Sequence, residues 1–141
     1  MMDRNEIEKL IPHRPPFLWI DRVEELEPGL HCVAWKQIDP ESPAFAGHFP
    51  ANPVLPGIFL IEAIAQTACV MLSSAARPDP EAVPLLAAVN RFKFLKPIKP
   101  GQELRIVTRK LTDAGKMAYI EGTVSVAGEV VARGELSVVS A

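Results

Sequence analysis

The chain has 141 residues, with 15 Lys+Arg against 17 Asp+Glu and a formal charge of −2. Apolar residues make up 48% and charged residues 23%, an ordinary balance for a globular domain, and the length suits one domain (1–141) built on one core. The near-neutral charge argues against a nucleic-acid binder, and the 14 prolines, without low hydrophobicity or charge bias, punctuate a fold rather than mark disorder.

In chain order, Asp3 with Glu6 three residues on has the form of a capping box, predicting a short helix over 4–10 that Pro12 stops. No basic region followed by an apolar run opens the chain, so a cytoplasmic location is the expectation. Residues 17–26 mix aromatic and branched apolar residues with charges and end at Glu27-Pro28-Gly29, which predicts a strand and a turn. His31 to Ile38 reads as its hairpin partner. Residues 39–56 are rich in Pro, Gly, Asn and Ser, and an irregular stretch of that length inside a small domain points to a functional loop.

Residues 57–76 are rich in alanine, free of proline and apolar almost all round, predicting a helix buried on most faces. A twenty-residue helix spans about 30 Å, enough to cross a membrane. Glu62 and Gln66 inside it, and Pro53 and Pro56 beside it, argue against that. A strand is predicted over 85–95 and a turn at Pro97–Gly101. Three more strands follow at 102–112, 116–126 and 129–139, with hairpin turns at Asp113-Ala114-Gly115 and Ala127-Gly128. Six strands and one long apolar helix imply an α+β fold, a curved antiparallel sheet wrapped round that helix.

Two residues stand out for chemistry. Glu62 sits about a turn and a half into the apolar helix, where a carboxylate is costly to desolvate and suits a group that holds or delivers a proton. An end-of-helix charge reaching solvent or a buried partner is the alternative. His48, between Gly47 and Phe49-Pro50 in the loop, titrates near neutral pH, and a loop-fixing hydrogen bonder is its alternative. Gln66 follows Glu62 by one turn on the same face, either orienting a functional group or satisfied by backbone. Pro56-Gly57 opens the helix, where free N–H groups and the helix dipole suit a developing oxyanion. His13 with Arg14 reads as structural and His31 as exposed. The spacing of His13, His31 and His48 matches no metal site, and Cys32 and Cys69 read as buried small hydrophobes rather than a disulfide framework. Arg91, Lys93, Lys96 and Lys99 form either a solvated strand edge or a docking patch for an acidic or phosphorylated partner.

Leu10–Val23, with His13-Arg14-Pro15-Pro16-Phe17 and Asp21-Arg22, resembles the opening motif of bacterial 3-hydroxyacyl-[acyl-carrier-protein] dehydratases. Gly47-His48-Phe49-Pro50 through Pro56-Gly57, followed by Glu62-Ala63-Ile64-Ala65-Gln66, resembles their active-site loop and central helix, and Phe94–Pro97 with Pro100-Gly101 a further family segment. The resemblance implies the hot-dog fold, with homodimers that in some members form trimers of dimers. It implies His48 of one subunit paired with Glu62 of the other as the catalytic residues. Gly57, Phe49 and Gln66 would lie against substrate, and Arg91, Lys93, Lys96 and Lys99 would dock acyl carrier protein. It implies no cofactor and no metal. Glu62, rather than Asp, favours the branch that dehydrates without isomerising. Asn90-Arg91 and Leu85-Leu86-Ala87 depart from the family pattern near its acyl tunnel, which bears on chain length, and relatives from polyene pathways are also similar. A hot-dog thioesterase or a non-catalytic acyl binder are the competing readings.

Overall fold

The computed structural model describes residues 1–45, 51, 53–75 and 84–140. Helix α1 (Arg4–Leu10) carries the expected capping box: the Asp3 side chain accepts from the Glu6 N–H at 2.9 Å, and the Glu6 side chain accepts from the Asp3 N–H. The hairpin β1 (Arg22–Glu27) and β2 (His31–Gln37) follows. A 3-10 turn (Pro43–Phe45) sinks Phe45 into the core, and the long helix α2 runs Ile58–Ser73. Strands β3 (Pro84–Phe94), β4 (Glu103–Ala114), β5 (Met117–Val126) and β6 (Glu129–Ser140) complete one antiparallel sheet in the order β1-β2-β4-β5-β6-β3. This is the hot-dog arrangement, with α2 packed against β2, β4 and β5.

Period-two alternation decides which side of the sheet meets the helix. Leu104, Ile106 and Thr108 of β4, and Ala118, Ile120, Gly122 and Val124 of β5, are buried, with more exposed residues between them. Register lines these positions up across strands: Ala34, Ile106, Val124 and Ala132 form one inward row, and Cys32, Thr108, Gly122 and Gly134 the next. The second row is shallow because its last two members lack side chains. A Cβ on Gly122 would lie 2.3 Å from Ile64 Cγ2, and one on Gly134 would lie 2.1 Å from Phe92 Cδ2. Gly122 therefore lets Ile64 of α2 settle on the sheet, and Gly134 makes room for the Phe92 ring of β3. Every residue of α2 from Ala63 to Met71 is buried, as the apolar run predicts.

Two boundaries differ from the expectation. The first strand begins at Arg22, not at 17. Residues 17–19 instead turn their backbone toward α2: the Trp19 N–H donates to Gln66 Oε1 and the Phe17 carbonyl accepts from Gln66 Nε2, while the Asp21 N–H already donates to the Trp35 carbonyl of β2. Helix α2 stops at Ser73, where Ser74 donates its hydroxyl to the Met71 carbonyl, rather than running on to 76. Both predicted hairpin turns close, and Ala127-Gly128 takes positive φ at both residues, as a two-residue hairpin turn of matching twist requires. His31 begins β2 half-buried rather than exposed. No helix of the described residues is long and apolar enough to cross a membrane.

Candidate active site

The site is built around Gln66, whose amide is completely buried. Its Oε1 accepts the Trp19 N–H at 2.8 Å, which fixes the amide's orientation. Nε2 must then face the other way, and it donates to the Phe17 carbonyl and to Glu62 Oε1, each at 2.9 Å. One turn of helix separates Glu62 from Gln66, so the two side chains meet on one face. The Glu62 side chain is 26% exposed and His13 Nε2 stands 3.7 Å from its Oε1. A carboxylate is thus held by one oxygen against a rigid amide while it keeps access to the outside. The alternative of a charge reaching solvent or a buried partner also describes this geometry, since Glu62 does both.

The segment that carries His13 is fastened by Arg14. Its guanidinium donates to the carbonyls of Ile11, His13 and Glu8 and pairs with the Glu8 carboxylate at 3.2 Å. Phe17 stacks on the His13 ring with centroids 6.3 Å apart. Asp21 ties the segment's far end to the sheet, pairing with Arg4 at 2.6 Å and accepting the Gln37 N–H at 2.6 Å. The opening motif is therefore a strap laid across α2 at Glu62 and Gln66.

Gly57 lies elsewhere on the helix. Phe59 and Leu60 donate their N–H groups to the Pro56 and Gly57 carbonyls, while the Gly57 N–H meets no backbone carbonyl among the described residues. A Cβ on Gly57 would lie 2.9 Å from Phe94 Cε1, so any side chain there would push the Phe94 ring aside. Phe94 in turn touches Phe92, with centroids 5.5 Å apart, and Phe92 covers Gly134. A bulge between Asn90 and Lys93, with Arg91 at φ 53°, brings both rings to bear. Beside them an open cleft of about 500 Å³ is bordered by Leu55, Gly57, Ile61, Phe94 and Lys96. Glu62 and Gln66 do not border it. Five residues of helix turn through about 140°, so Gly57 and Glu62 of one chain look in different directions.

His48 and Phe49 lie outside the described residues. The described ends of their loop are pinned, Phe45 by burial and Leu55 by burial and an N–H donated to the Ile98 carbonyl at 2.9 Å. Arg91, Lys93, Lys96 and Lys99 are all exposed; Lys96 pairs with Glu129, and Lys93 sits opposite Arg133. Burial pushes both the Cys32 and Cys69 thiols up to about 12, and the negative charge of Glu62 adds to the effect at Cys69. Among the described residues no group of three His, Cys, Asp or Glu side chains is placed to hold a metal ion. The contact overlooked in the sequence is that of His13 with Glu62, 49 positions apart (62 − 13). Its only sequence signal is that His13 belongs to the motif shared with the dehydratases.

A family model described as a FabA-like domain matches residues 11–135. The 3-hydroxyacyl-[acyl-carrier-protein] dehydratase FabZ of Anaeromyxobacter sp. (strain Fw109-5) is 37% identical over 138 residues, covering 96% of this chain and 87% of that one. The protein of the same name from Geotalea uraniireducens (strain Rf4) is 41% identical over 137 residues, covering 92% and 94%. Among solved structures, the dehydratase heterocomplex ApeI:P of Xenorhabdus doucetiae aligns with a TM-score of 0.81 at 21% identity, over 96% of this chain and 90% of that one. A hypothetical thioesterase with coenzyme A from Streptococcus pneumoniae TIGR4 aligns at 0.66 and 13% identity, over 85% and 84%. These last two likenesses are of fold.

Proposed function

The chain belongs to the FabA-like family, and on that footing we propose that it is a 3-hydroxyacyl-[acyl-carrier-protein] dehydratase of fatty acid or related acyl-chain biosynthesis. The observation that carries this reading is the Glu62 carboxylate, held on the central helix by a buried amide that cannot turn away. The reaction removes water from a (3R)-3-hydroxyacyl thioester to give the trans-2-enoyl thioester. His48 takes the proton from C2, and the electron pair of that C–H bond forms the C2=C3 double bond. Glu62 delivers a proton to the C3 hydroxyl, whose C–O bond breaks to release water. Proton transfer from His48 back to Glu62, directly or through water, restores the starting state. The Gly57 N–H stabilises charge on the thioester oxygen, Phe49 lies along the acyl chain, and Gln66 orients Glu62. Positioning and preorganised hydrogen bonds supply the rate, and neither metal nor cofactor has a role in this scheme.

The partner in this reading is acyl carrier protein, docked on Arg91, Lys93, Lys96 and Lys99 beside the apolar cleft, in the cytoplasm. The working unit is a homodimer, the base unit of any trimer of dimers. Two features support it. Gly57 and Glu62 of one chain face apart, as expected if each site takes Gly57 and His48 from one copy and Glu62 from the other. Strand β3 lies at the sheet edge with Leu85, Leu86 and Val89 exposed, and an apolar edge strand of that kind asks for a partner.

The test is an assay on 3-hydroxyacyl thioesters of graded length and unsaturation carried by acyl carrier protein. Enoyl absorbance without free thiol supports the dehydratase; thiol release without enoyl product points to a thioesterase; binding without either product points to an acyl binder. Mixing inactive His48→Ala and Glu62→Gln subunits should restore part of the activity. No restoration despite confirmed exchange contradicts the shared site.

A further inference from the structure

Outside the roles given above, the strongest unassigned group is His13. Its Nε2 is 3.7 Å from Glu62 Oε1, within ion-pair range but longer than a hydrogen bond. Its Nδ1 is buried and meets no partner. These two facts select a tautomer. With the proton on Nδ1, a donor would be buried unmet, which proteins avoid more strictly than a bare lone pair. The imidazole is therefore an Nε2–H donor facing Glu62. The ring has little freedom to leave, because Phe17 stacks on it and Arg14 grips the His13 carbonyl.

The two oxygens of Glu62 are consequently unlike. Oε1 accepts from Gln66 Nε2 and faces His13 Nε2, while no described residue donates to Oε2. We propose that His13 is a positioning residue for the dehydration reaction, acting with Gln66 to hold Glu62 Oε1 so that Oε2 is the oxygen that carries the proton to the departing hydroxyl. A proton on Oε1 would compete with the Gln66 donor, whereas one on Oε2 displaces nothing. The Gln66 hydrogen bond fixes the rotation of the carboxylate and the facing His13 N–H dipole favours the same setting, so Oε2 keeps one direction from one turnover to the next. This inference rests on the dehydratase reading for what Glu62 does. The geometry of His13 stands apart from that reading and can be measured without it.

The experiment uses the full chain and two readouts. In the first, nitrogen NMR of the uniformly labelled protein assigns the His13 ring, with His13→Gln identifying its signals. The expected result is a protonated Nε2, a bare Nδ1, and a change at Nε2 when Glu62→Gln is introduced. A proton on Nδ1, or an Nε2 signal indifferent to Glu62→Gln, overturns the proposal. In the second, steady-state kinetics on a 3-hydroxyacyl-[acyl-carrier-protein] compare His13→Ala, His13→Gln and the parent protein. The expected result is kcat lowered about 10- to 100-fold in His13→Ala with KM within about twofold and an unchanged melting temperature. His13→Gln, which restores an N–H donor, should recover part of the loss. An unchanged kcat in a folded His13→Ala, or a loss confined to KM, overturns it. If His13→Ala fails to fold, His13→Gln and the ring assignment decide. If the parent protein does not dehydrate the substrate, the dehydratase reading fails and the ring assignment alone decides whether His13 faces Glu62 as a donor.

Discussion

Replacing Gln66 with leucine would separate the strap from the helix without leaving a hole, because the two side chains are of similar size. The structure allows the cost to be worked out. The Trp19 N–H, the Phe17 carbonyl and Glu62 Oε1 all lose the amide at once. A typical hydrogen bond contributes about 1 kcal/mol net, but a buried group left unmet costs about 1–3 kcal/mol. The Trp19 N–H pays that penalty nearly in full, since Trp19 is half-buried over α2 with its ring 5.7 Å from Phe59. The Phe17 carbonyl costs less, because Phe17 is 61% exposed and water can reach it. Glu62 keeps its own access to water. The sum is about 2–4 kcal/mol, a large part of the 5–15 kcal/mol that holds a typical domain together. Urea unfolding of the parent and Gln66→Leu measures it, provided the slope with denaturant is unchanged. Hydrogen exchange supplies a local check: the Trp19 amide should lose protection before the central strands do. A difference under 0.5 kcal/mol (roughly the scatter of a neutral surface change), with Trp19 still protected, would refute the reasoning that Gln66 anchors the strap.

Gly122→Ala should destabilise by about 1–3 kcal/mol, because the new methyl would sit 2.3 Å from Ile64 Cγ2 under a buried stretch of α2. Ile64→Ala alone should cost about 2–5 kcal/mol, and the double variant less than the sum, a non-additivity read from the unfolding curves of the parent, both single variants and the double variant; strict additivity would mean the contact is not made. Cys32 and Cys69, with thiols raised to about 12 from a usual 9.0, should resist alkylation at pH 8 in the native protein and react on unfolding, as a timed thiol titration would show. The sign of the linkage follows: a raised folded-state value favours the neutral thiol, so this contribution to stability is complete below pH 9 and lost as pH rises toward 12.

The C-terminal strands were legible because local signals agree there. Alternating apolar residues and glycines at the turns predict β4, β5 and β6 to within a residue or two at each end. Helix α2 was legible from its alanines and the absence of proline. The 17–21 segment was not, because its apolar residues bury against a helix forty to fifty positions away, and Gln66 takes up the Phe17 carbonyl and the Trp19 N–H before Asp21 joins the sheet at Trp35. Composition cannot distinguish those two partners. Glu62 and Gln66 were recognisable as polar residues on an apolar helix, but the meeting of Glu62 with His13, and of Gln66 with Phe17 and Trp19, depends on how the strap crosses α2. The roles of Gly122 and Gly134 were likewise invisible, since Ile64 of α2 and Phe92 of β3 come to lie over them only in the folded sheet.

The most direct test of the account is the turnover of a 3-hydroxyacyl-[acyl-carrier-protein] by the parent chain and by Glu62→Gln, followed at the enoyl absorbance band. Glutamine keeps the size of the side chain but cannot deliver the proton, and general acid–base groups contribute about 10²–10⁴-fold to rate. Enoyl formation by the parent and a loss of that order in kcat for Glu62→Gln are expected, with an unchanged circular dichroism spectrum. Equal turnover by the two folded proteins, or none by either, would contradict it.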